Sequence, residues 1–424
     1  MNLQHHIKLV LAKPHYAGIY EVLWRKGQLT RRQLAYITNM SAPTVARIVA
    51  DLIKIGLLLE LPANEPISSG RPATKVAINP HAGYMIGIDL GGTKAAGALL
   101  TLNNEILADK TIAVAKESIP EIASSLADMV EDMLAEAQVE RSAVIGVGIG
   151  VPSSVDLSRT TILDASNLKV TDWHIVTDMV ERLQMPVFVE NDANAAAMAQ
   201  YYFTGQDDKN MAYISLGTGI GMGLIINGQL FVGSLGNAGE LGHIVAVPEG
   251  PRCTCGNKGC LEAMASGWAV ARAYTTEKRI GAANYNSLAE ITCEDVFGLA
   301  ENGDEVARDV LDRAAYLIGL AIDGVINTLS ISRFVLGGSM ALNYPHFVSN
   351  IERSALENAP SEYTDMISIT CTTLRNAGVL GAGSLVMQDL LYGAANLREN
   401  SSGSYHTGRS QHLCSAASDA ITIG

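Results

Sequence analysis

The feature that most constrains the fold is a dense group of metal-binding side chains between residues 240 and 262. It supplies one imidazole and three thiols, from His243, Cys253, Cys255 and Cys260. This is the ligand set of a closed tetrahedral structural zinc site, and Gly256 and Gly259 let the loop bend tightly. Ordinary buried cysteines beside an unrelated histidine are the alternative, but ligands so closely spaced favour Zn²⁺. Folding around zinc would also bring together Glu240 and Glu262, which flank the ligands.

Composition and length limit the class of protein. A chain of 424 residues is long enough for two or three domains, and its 48% hydrophobic fraction is typical of a globular α/β protein. The sequence contains no apolar run long enough to span a bilayer, and its first residues do not resemble a signal peptide. The cysteines outside the cluster are scattered, so we expect a reducing, cytoplasmic location and no membrane partner.

Charge is distributed unevenly along the chain. Up to Pro80 there are ten Lys/Arg against four Asp/Glu, a net charge of +6. The remainder carries 20 Lys/Arg against 39 Asp/Glu, a net charge of −19, which gives −13 for the whole chain. A basic head on an acidic body predicts that only the head meets a polyanion.

The head, residues 1–80, has the pattern of a winged helix-turn-helix domain. Residues 17–55 predict three helices; the second begins at Thr30 with a capping box to Gln33, and the third begins at Ser41. Two apolar strands then flank a Pro/Ser/Gly tip, which predicts a wing. A generic helical packing module with a solvated basic face is the alternative. We expect the head to bind double-stranded DNA, through Arg31, Ser41, Thr44, Arg47 and Arg71.

The body contains three turns in which a strand leads into glycines. Such turns present backbone amides toward phosphate, and one of them alone could be an ordinary β-turn. Three together predict a nucleotide cleft lined by two lobes, although the P-loop spacing is missing. Asp89, which precedes the first turn, could hold Mg²⁺. The predicted phosphate-binding residues are Asp89, Gly91, Gly92, Thr93, Lys94, Thr218, Gly219, Gly337 and Gly338.

A strand–helix junction lies between the first two turns. Asp192 follows the short strand at 187–189, where a carboxylate can point into a cleft. Asn191 or Asp192 could also simply cap the helix, and capping does not exclude catalysis. Upstream, Asn167 and Trp173 are candidate ligand contacts, while Trp173 fits a core position equally well.

These motifs together resemble the ROK family of sugar kinases and sugar-responsive repressors, from residue 1 to about 390. The motifs that carry the resemblance are DLGGTK at 89–94, ENDAN at 190–194, SLGTGIG at 215–221, ELGH at 240–243 and CTCGNKGCLE at 253–262. The head matches the repressor branch. The resemblance implies an α/β protein in which a winged helix-turn-helix precedes a two-lobed actin-like (ribonuclease-H-like) ATPase/sugar kinase fold.

The resemblance also implies domain limits. We expect a small lobe over 81–205, completed by a C-terminal helix near 376–394, and a large lobe with the zinc site over 206–375. The low-complexity tail, 396–424, lies outside the resemblance and is expected to be disordered.

By the same resemblance, Asp192 would be the general base that takes the proton from a sugar hydroxyl. Glu240, His243, Glu262 and Asn191 would hold sugar hydroxyls, with His243 using one ring nitrogen for zinc and the other for the sugar. The sequence departs from the family kinases at Ser153 and Ser339, where glycine is common. Predicted sugar contacts are thus Asn167, Asn191, Asp192, Glu240, His243 and Glu262.

Two functions follow from these residues. The first is a DNA-binding transcriptional regulator, a repressor of carbohydrate-use genes, whose body senses a sugar. The alternative is an ATP-dependent hexose or N-acetylhexosamine kinase using ATP and Mg²⁺, or a protein with both functions, because the phosphate and base motifs are intact. We expect a homodimer or homotetramer that binds two DNA half-sites.

Overall fold

The computed structural model describes most of the chain. It describes residues 3–62, 74–114, 118–165, 168–205, 208–280 and 291–402. Arg71, the predicted wing-tip contact, and Asn167, a predicted sugar contact, lie outside the described residues.

The head contains the three predicted helices, an additional N-terminal helix and a small antiparallel sheet with strand order β1-β3-β2. Both hydrogen bonds of the predicted capping box are present, and Asn39 adopts a left-handed conformation with φ 53° that ends the second predicted helix. The elements are α1 (Leu3–Leu11), α2 (Pro14–Lys26), β1 (Leu29–Thr30), α3 (Arg31–Thr38), α4 (Ala42–Lys54), β2 (Leu58–Leu61) and β3 (Lys75–Ile78).

The first lobe of the body is built on a five-stranded sheet with strand order β11-β7-β4-β5-β6. A second small sheet, β10-β9-β8, lies beyond the end of β7. The elements are β4 (Tyr84–Leu90), β5 (Lys94–Thr101), β6 (Ile106–Ala113), α5 (Ile119–Ala137), β7 (Val144–Val151), β8 (Ser154–Val155), β9 (Ile162–Ala165), β10 (Val170–Trp173), α6 (Ile175–Leu183), β11 (Val187–Asn191) and α7 (Asp192–Phe203).

The second lobe contains another five-stranded sheet and most of the remaining helices. Short 3₁₀ helices at Arg141–Ala143, Leu241–His243 and Thr364–Met366 complete the described secondary structure. The elements are β12 (Met211–Leu216), β13 (Ile220–Ile226), β14 (Gln229–Leu230), α8 (Leu261–Ala265), α9 (Gly267–Ile280), α10 (Cys293–Glu301), α11 (Glu305–Leu329), β15 (Arg333–Gly337), α12 (Ser339–Asn343), α13 (Pro345–Asn358), β16 (Ser368–Cys371) and α14 (Ala377–Ser402).

The two large sheets have the same topology. The second has strand order β14-β13-β12-β15-β16, with an antiparallel meander on one side and parallel strands on the other, as in the first sheet. The β4–β5 and β12–β13 turns, both rich in glycine, therefore occupy equivalent positions in the two lobes. This repeated sheet is why separate sequence motifs can line one cleft.

Two helices connect the lobes. Helix α7 follows the first sheet but packs on the second, where a side chain at Gly223 would overlap the Ala193 carbonyl. Helix α14 follows the second sheet and packs on the first, where a side chain at Gly148 would overlap the Ala382 carbonyl. Only glycine permits such close backbone approach. Helix α14 runs to Ser402, the residues from 403 onward lie outside the described residues, and the disorder expected for 396–424 stays a prediction.

The head and body share a hydrophobic core. Buried side chains of α2 and α4 belong to one continuous cluster with side chains of α7 and α14. Trp173 is buried at 3% exposure, and its indole donates a 3.2 Å hydrogen bond to Asp178, so it belongs to the core of the first lobe. No helix among the described residues is long and apolar enough to cross a membrane.

Candidate functional site

Asp192 is the first residue of α7, and Asn191 caps that helix. The Asn191 side-chain oxygen accepts hydrogen bonds of 3.0 Å and 3.2 Å from the amides of Ala193 and Asn194. Capping by Asn191 leaves the Asp192 carboxylate free to face the space between the lobes, although it also accepts a 2.7 Å bond from the Ala193 amide. The cap by Asn191 is therefore observed, and the role of Asp192 in binding or catalysis stays a prediction.

The Asp192 carboxyl group has an unusually high pKa. It keeps some solvent exposure, but surrounding protein desolvates it, and this burial raises its pKa to about 7. The nearby Asp89 and Glu240 carboxylates add to the rise, and the Ala193 hydrogen bond opposes it. A carboxyl group that titrates near neutral pH has the proton affinity that a general base needs.

Asp89 lies at the end of β4 and next to the start of α14. It is near enough to Asp192 for its negative charge to raise the Asp192 pKa. Burial raises the pKa of Asp89, and Lys94 partly offsets that rise. The following turn is closed by a 2.8 Å bond from the Gly91 amide to the Lys94 carbonyl, and Thr93 and Lys94 are exposed. Two neighbouring buried carboxyl groups beside an open glycine turn can bind a hydrated divalent cation, which would relieve their repulsion.

A narrow cleft lies between the small β8–β9 sheet and the loop that leads to Glu240. It brings together the predicted residues Asn191 and Glu240, while Asp192, His243 and Glu262 are not part of its lining. Its volume of about 30 Å³ holds about one water, which is less than a hexose needs. The lining comprises Ser154, Val155, Arg159, Asn191, Asn194, Gly221, Met222, Gly236, Asn237, Ala238, Gly239 and Glu240.

The predicted metal ligands come together in space. The ligand atoms of His243, Cys253, Cys255 and Cys260 all lie within 4.8 Å of one another. The Cys255 and Cys260 sulfurs are 3.7 Å apart, and the Cys253 sulfur is 3.7 Å from His243 Nδ1. Tetrahedral zinc with bonds of about 2.3 Å needs ligand separations of roughly 3.8 Å. The four residues therefore fit a zinc ion.

His243 also reaches away from the metal ligands. Its Nε2 lies 3.7 Å from a Glu240 carboxylate oxygen, while its Nδ1 faces Cys253. A ring held by metal on one nitrogen can orient a carboxylate with the other. The predicted contact of the second ring nitrogen with a sugar stays a prediction, but the contact with Glu240 connects the metal cluster to a residue that lines the cleft.

Glu262 connects the metal cluster to the second glycine turn. One carboxylate oxygen accepts a 3.1 Å hydrogen bond from the Ile220 amide, directly after Gly219. The other lies 4.0 Å from the Cys253 sulfur. This carboxylate thus supports the turn between β12 and β13 and is not in the lining of the narrow cleft.

A larger cavity of about 600 Å³ opens on the other side of that turn. Of the predicted phosphate residues it includes Thr218, and Ser339 lies beside Gly337 and Gly338 at its edge. The Arg272 guanidinium covers the Trp268 ring at 4.4 Å and donates a 2.7 Å bond to the Ala263 carbonyl. The lining comprises Gly217, Thr218, Gly267, Trp268, Ala271, Arg272, Thr275, Thr276, Ile291, Thr292, Cys293, Glu294 and Ser339.

Apart from Asn191, Glu240 and Thr218, the residues that line the two cavities were not predicted from the sequence. Helix α9 supplies much of the larger one, and the only sequence signal was the i, i+4 spacing of Trp268 and Arg272. The sequence reasoning also missed an ion pair of 2.7 Å between Arg159 and the buried Glu190. The signal for Arg159 was weak: one basic residue in a turn of Asp, Ser and Thr residues.

The predicted DNA-contact residues occupy different positions in the head. Ser41 accepts a 3.3 Å bond from the Thr44 amide as the N-cap of α4, and Arg47 is exposed one turn further along. Arg31 is bound to Glu60 of β2 at 2.6 Å. Tyr36 on α3 is 89% exposed, which the sequence did not single out. Helix α4 therefore presents small polar residues at its start and an exposed arginine, Arg47, whose side chain also interacts with the Tyr16 hydroxyl of α2.

A winged helix-turn-helix head joined to a body with two actin-like sheets defines a two-domain DNA-binding protein with a sugar-kinase-like body. Residues 85–389 match the ROK family, and residues 18–58 match the winged helix-turn-helix DNA-binding family. The chain belongs to the ROK family. The expected family and fold class are thereby confirmed.

Individual relatives cover the chain to different extents. It is 35% identical to a glucokinase from Halalkalibacterium halodurans over 72% of this chain and 95% of the relative. It is 28% identical to a xylose repressor from Bacillus spizizenii over 87% of this chain and 93% of the repressor. A crystal structure of a ROK family transcriptional regulator, a homolog of the E. coli MLC protein, aligns with TM-score 0.76 and 27% identity over 92% of this chain and 99% of that one.

Proposed function

We propose that this protein is a sugar-responsive transcriptional repressor in which sugar binding between the lobes changes how the head binds DNA. The observation that carries the proposal is the contact between the head and α7. One end of that helix begins at Asp192, next to Asn191 of the narrow cleft, and the other end packs against the head. The match of repressor relatives over both domains supports the same conclusion.

The contact between the head and α7 includes a group of aromatic rings. Trp24 of α2 packs against Tyr202 with ring centroids 4.6 Å apart and meets Phe203 edge-on at 5.2 Å. The Arg25 guanidinium lies 4.2 Å from the centre of the Tyr201 ring. Packed aromatic groups of this kind have few alternative arrangements. A shift of α7 must therefore be accommodated by the head or by the contact itself.

The small size of the narrow cleft explains why sugar binding would shift α7. A cleft of about 30 Å³ cannot hold a hexose in the arrangement described here. A sugar would favour a second arrangement of the lobes, because only a ligand with different affinities for two states shifts their balance. Since α7 packs on the second sheet and follows the first, it takes part in any change between the lobes.

The sugar contacts are proposed from the cleft and the resemblance together. Asn191, Glu240 and His243 would hold sugar hydroxyls around Asp192, with Glu262 supporting the adjoining turn. Zinc bound by the His243 cluster would be structural, and its effect on the sugar would pass through His243 and Glu240. Asn167 remains a proposed contact outside the described residues.

The DNA partner is proposed to be an operator of two half-sites bound by a homodimer or homotetramer. Arg47 and Thr44 of α4 would face the major groove, with the wing and Arg71 on the backbone or minor groove. Arg31 would contact phosphate only after leaving Glu60. A head of net charge +6 on a body of net charge −19 supports this orientation of the molecule on DNA.

A second candidate function, an ATP-dependent sugar kinase, is favoured by the pKa of Asp192. A base that titrates near 7 beside Asp89 and the Gly91–Thr93 turn fits phosphoryl transfer. The 600 Å³ cavity next to Thr218 is large enough for a nucleotide. Asp192 would take the proton of the sugar hydroxyl, Asp89 would hold Mg²⁺, and the glycine turns would bind phosphates.

One experiment separates the two functions. Operator DNA is first selected from random duplexes with the full-length protein, and its affinity is then measured by fluorescence anisotropy with and without each sugar of a hexose, pentose and N-acetylhexosamine panel. The proposal requires a sugar that weakens DNA binding. ADP release with ATP-Mg²⁺ is measured on the same panel; release that Asp192→Asn abolishes adds the kinase function, and its absence limits the body to sensing. DNA binding that no sugar changes would overturn the proposal.

A further inference from the structure

A buried ion pair lies beneath the narrow cleft. Arg159 Nη1 donates a 2.7 Å hydrogen bond to Glu190 Oε1, and the Glu190 side chain is only 5% exposed. Arg159 is also the only cationic residue among the described residues that line the cleft. A buried carboxylate whose partner is removed is left with an uncompensated charge. Loss of Arg159 would therefore also disturb the groups that hydrogen-bond to Glu190.

Glu190 holds the start of α7. The same Oε1 atom accepts a 2.9 Å bond from the Asn191 amide and a 2.9 Å bond from the Asn194 side chain. Asn191 in turn caps α7 and donates a 3.3 Å bond to the Ser153 carbonyl. Burial raises the pKa of Glu190, while Arg159 and these hydrogen bonds oppose that rise.

The turn that carries Arg159 is organised for this contact. Asp156 accepts 2.7 Å bonds from the amides of both Thr160 and Thr161, as well as a bond from the Ser158 hydroxyl. Burial opposes ionisation of Asp156, but these hydrogen bonds outweigh it and lower its pKa to about 2. Within this turn Arg159 has φ +57°, a left-handed conformation that is uncommon for a non-glycine residue. Backbone conformations of this kind persist only where the surroundings fix them.

We infer that Arg159 is a positioning residue for the sugar site: through Glu190 it fixes Asn191 and Asn194, and so sets the orientation in which α7 presents Asn191 and Asp192 to the ligand. The identity of the ligand as a sugar rests on the proposed function, whereas the positioning of α7 by Arg159 does not depend on any ligand. The chain from Asp156 to α7 also connects the rim of the cleft to the helix that reaches the head.

Hydrogen exchange of the full-length protein, followed at the amides of residues 191–194, tests the positioning directly. Arg159→Gln should speed exchange there by about ten-fold or more, because the start of α7 loses its anchor. Arg159→Lys keeps the positive charge, so its exchange rate at 191–194 should lie between those of the wild type and Arg159→Gln. The matched control is Arg182→Gln, which breaks another 2.7 Å arginine–carboxylate pair, with Asp178 on α6, away from the cleft.

A double variant shows whether Arg159 acts through Glu190. Glu190→Gln added to Arg159→Gln removes the unpaired carboxylate and leaves an amide oxygen that can still accept from Asn191 and Asn194. Protection at 191–194 should therefore return most of the way to the wild-type level. Unchanged exchange in Arg159→Gln, an equal change in Arg182→Gln, or no recovery in the double variant would each overturn the inference.

Sugar binding is measured on the same variants by calorimetry with D-glucose and D-xylose. Arg159→Gln should weaken binding by about ten- to a hundred-fold, since small displacements of site groups have effects of that size. Changed exchange at 191–194 with no sugar binding even in the wild type would leave the positioning intact and count against the proposed sugar site. Unchanged exchange at 191–194 in Arg159→Gln, together with sugar binding by the wild type, would overturn the positioning role and leave the proposed sugar site intact.

Discussion

The indole ring of Trp24 packs against the phenol ring of Tyr202, with ring centroids 4.6 Å apart and planes inclined by 42°. Trp24 belongs to the DNA-binding head, and Tyr202 lies near the end of the helix that begins at Asp192. The indole N–H of Trp24 is buried and has no hydrogen-bond partner among the described residues. Packing and not hydrogen bonding therefore holds this contact, which makes its removal a clean test of coupling.

Trp24→Leu should uncouple the two domains. Losing the aromatic contact lets the head move independently of α7, so the sugar-induced change in operator affinity should fall toward none, while sugar affinity stays within about two-fold of wild type. Trp24→Phe keeps an aromatic ring and removes the unpaired N–H, so it should retain coupling. Both are measured as operator affinity with and without sugar. A fully sugar-responsive Trp24→Leu protein would refute this route.

The metal cluster should hold one zinc ion per chain. Cys255→Ser removes an exposed ligand and should reduce the bound zinc, measured by elemental analysis, and weaken sugar binding by about ten-fold or more through His243 and Glu240. Cys371→Ser changes a cysteine outside the cluster and should leave both quantities unchanged. Normal sugar affinity in the zinc-free variant would contradict the coupling between cluster and cleft.

Asp192→Asn should change how stability depends on pH. The Asp192 pKa is about 7 in the folded protein and 3.8 as the ordinary value. Its contribution to stability is therefore greatest below pH 3.8 and is lost as the pH rises through 7, where the buried group must ionise. The asparagine variant lacks this loss. Its free energy of unfolding relative to wild type, measured by denaturant titration, should rise between pH 4 and 8 toward a limiting difference of about 4 kcal/mol.

The same variant tests the role of Asp192 as base. Any ADP release should disappear, because asparagine cannot accept the proton, whereas sugar binding should persist. In the wild type, turnover should rise with pH through about 7 as the carboxyl group ionises. Loss of sugar binding together with turnover would assign Asp192 to binding and not to proton transfer.

Arg47→Ala should weaken operator binding and leave sugar binding unchanged. If Arg47 contacts a base edge, the loss should be about 1–3 kcal/mol with relaxed specificity at one position. If it contacts phosphate, the loss of affinity should be the same for all DNA sequences. The slope of log affinity against log salt concentration should then fall by about one released counterion. Lys110→Ala removes a cation from β6 of the body and is the control. Equal losses in both variants would mean that the effect is only one of net charge.

Sequence alone determined the features that depend on local chemistry. The predicted metal ligands are recognisable because metal coordination requires particular side chains at short spacing, and the ligand atoms of all four do converge within 4.8 Å. The Thr30 capping box and the turn at Asn39 follow from backbone preferences of neighbouring residues, and both are present. The glycine turns were recognisable because each follows a strand, and the duplicated sheets place the β4–β5 and β12–β13 turns at equivalent positions.

Only the tertiary structure decided the contacts between distant segments. Arg159 and Glu190 are brought together across 31 positions by the turn at Asp156 and the end of β11. Trp24 meets Tyr202 because the head shares a core with α7 and α14. Trp173, for which core and ligand positions were equally open, is in the core, and the cleft is narrower than a sugar requires. Such features depend on packing between elements far apart in the chain, for which residue spacing carries no signal.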